Sequence, residues 1–79
     1  MTIRKAAALR AQQLCDAQQL SREELAKRLR VSTAEVYSLL SPRRELTLSA
    51  LERLCRALHV PIVEFFDSEL FHAAGQQQD

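Results

Sequence analysis

Ser21 is followed three residues later by Glu24, and Ser32 is followed three residues later by Glu35. A serine and a glutamate at this spacing form a capping box. The hydroxyl accepts from the N–H three residues on, and the carboxylate can reach back to the serine N–H. The two boxes lie eleven residues apart. The first helix therefore has about two turns before a tight joint and a second start. Leu20 before the first cap and Leu25 inside the helix make a hydrophobic staple. The joint is Arg30-Val31-Ser32, with Leu25, Ala26 and Leu29 as the apolar stripe before it and Val36, Leu39 and Leu40 after it.

The rest of the chain extends the helical pattern. Residues 3 to 18 keep Ala7, Ala11 and Leu14 on one side, with Ile3 continuing the row. Pro42 lacks a backbone donor and ends the third helix, leaving "SPRREL" as a loop. Thr47 caps a fourth helix with Leu48, Leu51, Leu54, Cys55 and Leu58 inside. His59-Val60 is a break, and Pro61 suits the first turn of a fifth helix carrying Ile62, Phe65, Phe66, Leu70 and Phe71. One glycine and two prolines in 79 residues favour helices over hairpins. The expectation is an all-α, five-helix domain over residues 1–74, with Gly75 starting a frayed tail at 75–79.

Charge is uneven along the chain. All eleven Lys and Arg fall in residues 1–56 against six acids, a local balance of +5. Residues 57–79 hold four acids and no Lys or Arg. Such an asymmetry suits a polyanion on one face, although ordinary surface charge gives the same count. Cys15 and Cys55 sit in apolar patterns and read as core fillers. His59 and His72 are far apart with no Cys-x-x-Cys partner, so no metal site is expected. Arg10 interrupts any signal-peptide core, and no apolar run approaches the ~20 residues of a membrane span. A cytoplasmic, nucleoid-associated location follows as the expectation.

Small Ala26 at the helix crossing, apolar Val31 in the turn, and Val36 with Leu39 locking the second helix make a helix-turn-helix. With these positions in place, "LSREELAKRLRVSTAEV" followed by "LTLSALERLCRALHVPIVEFF" resembles the phage-repressor, Cro-like regulators of the xenobiotic-response-element type, over roughly residues 5 to 67. The resemblance implies a five-helix, lambda-repressor-like domain, usually a homodimer, that binds a partly palindromic operator in double-stranded DNA. It places Thr33, Ala34, Tyr37 and Ser38 toward base edges. It places Arg22, Ser32, Arg43 and Arg44 toward phosphates, and Arg10 could add another such contact. This chain departs from the family at several positions: Arg30 and Pro42 stand where Gly is common, Arg22 where Gln is common, and Cys15 and Leu40 where an Arg–Glu pair is frequent. Replacing both charged partners together points to a repacked core.

The third helix carries no Lys or Arg, so phosphate affinity has to come from flanking arginines, among them Arg10, Arg22, Arg30, Arg43 and Arg44. Adjacent Phe65 and Phe66 cannot both face inward, so Phe65, Phe66, Leu70 and Phe71 are the expected dimer interface. Two functional readings stand. One is a transcriptional regulator, with repression or autoregulation favoured over activation. The other is a protein-interaction module that keeps the fold without DNA affinity, supported by Glu35, the third helix without Lys or Arg and the apolar fifth helix. No nucleophile–base pair, metal cluster or glycine-rich phosphate loop supports an enzyme, and no cofactor, membrane or small-molecule ligand is expected.

Overall fold

The computed structural model describes residues 2–75 and holds six helices, with no strand among them. In chain order they are α1 (Ile3–Ala17), α2 (Arg22–Leu29), α3 (Thr33–Leu39), α4 (Leu48–Ala57), α5 (Ile62–Phe65) and α6 (Glu69–Gly75). Residues 76–79 of the expected tail lie outside the described residues. α1 packs on α6, α2 packs on both α3 and α4, and α4 packs on α5.

The helix starts follow the expected chemistry. Thr2, Ser21, Ser32 and Thr47 each accept the N–H three residues on at 3.1 Å. The capping boxes are only half formed, because neither Glu24 nor Glu35 bonds back to its cap among the described residues.

One joint recurs three times. Gln19, Arg30 and His59 all have left-handed backbones, with φ of 54°, 61° and 59°. Each is followed by an apolar residue whose N–H reaches back five residues: Leu20 to Cys15, Val31 to Ala26 and Val60 to Cys55. This is a Schellman closure, which satisfies carbonyls the ending helix would leave bare. The same apolar residue precedes the next N-cap, at Ser21, Ser32 and Pro61. It therefore sits at the staple position of the next helix, five residues before buried Leu25, Val36 and Phe65. A single side chain thus closes one helix and steers the next.

The core runs through Ala7, Ala11 and Cys15 of α1, Leu25, Ala26 and Leu29 of α2, and Val36 and Leu39 of α3. Leu51, Leu54 and Cys55 of α4, then Leu58 and Phe65, complete it. Cys15 and Leu40 are both buried there, so apolar contact stands where the family often has a charged pair.

Three expectations need correction. The single fifth helix is two short ones. α5 ends at Phe65 with Phe66 as its cap, and Ser68 Oγ accepts the Leu70 N–H at 3.2 Å to start another turn. This redirection lets α6 pack on α1. Leu48 lies 67% exposed: it continues the α4 stripe but is its first residue, beyond the part of the helix the core covers. Ile3, at the start of α1, is likewise largely exposed.

Candidate nucleic-acid interface

α3 offers its outward face through Thr33, Ala34, Tyr37 and Ser38, which lie at positions i, i+1, i+4 and i+5 and so share one side. Tyr37 is 60% exposed, Ala34 is exposed, and Thr33 and Ser38 are half-buried. The inward side buries Val36 and Leu39. Tyr37 is thus a surface ring.

The loop after α3 supplies the charge that the helix lacks. Arg44 Nη1 donates to a Glu35 carboxylate oxygen, and the same nitrogen donates to Ser38 Oγ at 3.1 Å. This is the one ion pair among the described residues. It neutralises the carboxylate that would otherwise repel phosphate from α3. Arg4 anchors the loop from the other side. Its Nη2 donates to the Ser41 carbonyl at 2.7 Å, and its Nε donates to the carbonyl of Arg44. Arg4 Nη1 is buried with no hydrogen-bond partner. The Arg43 N–H donates to Ser41 Oγ at 3.2 Å, and the Arg43 residue is exposed. Ser32 Oγ accepts from Glu35 N–H and keeps its own hydroxyl proton to donate. Arg22, the first residue of α2, is half-buried.

Two expected site residues turn inward. Arg10 donates from Nε to the Phe65 carbonyl and from Nη2 to the Glu64 carbonyl, both at 2.8 Å. These carbonyls end α5, where a cation is favoured, and the Glu64 carbonyl also accepts the Asp67 N–H. Arg10 therefore ties α1 to α5, away from the phosphate role expected of it. Phe65 is fully buried, so its ring serves the monomer core and is closed to a partner. Phe66 remains 39% exposed and Phe71 partly buried. The three rings cluster, with Phe66 edge-on to Phe65 at 5.3 Å and to Phe71 at 4.8 Å between centroids. Val63, 78% exposed and one turn before Phe66, was missed as an interface candidate. The i, i+3 spacing of the two was the available signal.

Other inward arginines and Gln18 were also missed. Arg28 Nη1 caps the Ala57 carbonyl, and Arg53 Nη2 caps the Leu29 carbonyl, each at 3.0 Å. Gln18 Nε2 donates to the Leu58 carbonyl at 2.5 Å. Burial pushes the Cys15 and Cys55 thiols up from their ordinary range, and both are free thiols. Among the described residues no group of three or more His, Cys, Asp or Glu could hold a metal. No helix among them is long and apolar enough to cross a membrane.

The two capped helices, their left-handed joint and the outward face of α3 define a helix-turn-helix. The family model described as helix-turn-helix domain matches residues 4–65, most of the chain, and the protein belongs to that family. Membership points to a DNA-binding regulator. No curated protein and no solved structure matches the chain.

Proposed function

We propose that the protein is a sequence-specific transcriptional regulator of the Cro-like type. It occupies a partly palindromic operator as a homodimer and acts as a repressor or autoregulator. The carrying observation is the outward face of α3 with the Arg44 guanidinium fixed beside it by Glu35 and Ser38. α3 lies in the major groove, where Thr33, Ala34, Tyr37 and Ser38 meet base edges. Arg22, Ser32, Arg43 and Arg44 meet phosphates on either side. Arg10 is not assigned to DNA because its guanidinium is held on α5. Val63 and Phe66, exposed outside the core, form the two-fold interface together with half-buried Leu70 and Phe71 beside them. The activity is binding and not catalysis, and the working location is the nucleoid in the cytoplasm.

The test is selection from a random duplex pool with purified protein, followed by binding to the best site at two salt concentrations. A two-fold symmetric motif whose affinity falls steeply with salt supports the proposal. A folded protein that enriches no motif sinks it and favours the protein-interaction module.

A further inference from the structure

The C-terminal ends of α2 and α4 are laced together by the reciprocal caps of Arg28 on Ala57 and Arg53 on Leu29. Between them lies a pocket of about 410 Å3 whose basic lining is Arg28, Arg30, Arg53, Arg56 and His59. No acid lines it. Glu24 and Glu52 stand one turn before Arg28 and Arg56 on the same helices, but neither forms an ion pair among the described residues.

Four guanidiniums in one concavity repel one another. Each helix end contributes only about half a negative charge, so roughly three positive charges stay uncompensated. Arg28 and Arg53 are fixed by their carbonyls, whereas the side chains of Arg30 and Arg56 make no hydrogen bond among the described residues. Arg30 and His59 also hold left-handed backbones that glycine would adopt more easily. Both of these unfavourable residues face the same pocket. The same left-handed closure that ends α2 and α4 thus brings Arg30 and His59 to one concave, charged place.

We infer that this pocket binds the oxyanions of a phosphate-bearing ligand, at a site separate from the DNA-reading face. Planar guanidinium forks match phosphate oxygens in pairs. An eight-residue helix is about 12 Å long, and Arg22 lies at one end of α2 with the pocket at the other, while Ser32 stands two residues beyond Arg30 without lining the pocket. None of the outward residues of α3 lines it. Four guanidiniums set around one open concavity suit a compact anion of pyrophosphate size, and a nucleic-acid backbone presents the same oxygens. No small ligand is expected from the sequence, because the lining comes from two helices brought together only by folding. The inference does not rest on operator recognition, since a chain that selects no operator can still bind pyrophosphate here.

Pyrophosphate is the first probe, titrated into the full chain at constant ionic strength and followed by calorimetry and backbone amide shifts. The expected result is saturable binding with shifts centred on residues 28–30 and 56–59. Arg56→Gln lowers affinity roughly tenfold, as loss of one charge-assisted contact should. Arg30→Gly lowers it as well, and this variant stays folded because glycine suits the left-handed position. Lys5→Gln removes the same charge outside the pocket and leaves pyrophosphate affinity unchanged. A short duplex of arbitrary sequence is the second probe. If its affinity falls on Arg56→Gln while pyrophosphate fails to bind, the oxyanions come from a nucleic-acid backbone. The site is overturned if folded wild type and both variants bind pyrophosphate alike, or not at all, and duplex affinity ignores Arg56.

Discussion

Arg30 turns the chain between α2 and α3 with a backbone that an L-residue adopts at a cost. Replacing it by glycine relieves that cost. Arg30→Gly should therefore raise stability by about 1 kcal/mol, seen as a higher urea midpoint at unchanged slope. An unmoved midpoint would show that Arg30 is compensated by contacts of its own. Glu35 has a different role. Its N–H completes the Ser32 cap, while its carboxylate holds Arg44 beside α3. Glu35→Gln keeps the cap and removes the negative charge that neutralises Arg44. Affinity for arbitrary duplex should rise and its salt slope steepen by about one unit; equal slopes would remove Arg44 from the DNA. The two cysteines are governed by burial, which raises both thiols and keeps them protonated at neutral pH. Alkylation in the native state should be slow and should follow unfolding; rapid labelling of either thiol at pH 7 would contradict this burial.

The helices begin by local chemistry, and their ends combine a local closure with arginines from other helices. Ser32→Ala removes the hydroxyl that accepts the Glu35 N–H on a helix of only seven residues. The loss should be about 1 kcal/mol, read from thermal melts. A neutral result would mean that packing of Val36 and Leu39 alone holds α3. The caps at Ser21, Ser32 and Thr47 were legible because the cap hydroxyl and the N–H that donates to it lie three residues apart. The arginine caps on the helix ends were not. Arg10, Arg28 and Arg53 donate to carbonyls 24 to 55 residues away, a distance that local patterns cannot cover. Arg10 therefore read as a surface cation although it is a clamp on α5. The split of the fifth helix was hidden for a similar reason. Phe65, Phe66, Leu70 and Phe71 fit a continuous helix, but α6 packs on α1 only after the chain turns at Ser68.

At the scale of the molecule, one buried ring closes the core and a neighbouring apolar surface is left outside it. Phe65 is fully buried, while Val63 and Phe66 remain on the outside of the same short helix. Val63→Glu with Phe66→Glu should shift sedimentation from dimer to monomer while circular dichroism stays helical, since neither side chain belongs to the buried core. A dimer that survives both charges would move the interface elsewhere on the molecule. The same folding places arginines from α2 and α4 around one pocket and returns Arg44 to α3. The distribution of positive charge on the surface is thus a product of packing as much as of composition.

The helical class, the caps at Ser21, Ser32 and Thr47 and most of the core stripe were decided by the sequence itself. Each rests on residues within four or five positions of one another, where backbone geometry alone sets which groups meet. The position of Arg30 at the joint was legible in the same way, and its left-handed backbone follows from closing α2 within two residues of the next cap. Only tertiary structure decided which arginines face solvent, which of two adjacent phenylalanines enters the core, and that the ends of α2 and α4 enclose a basic pocket. Long flexible side chains can reach any partner that folding brings near. Their roles depend on distances between elements, which no local pattern encodes.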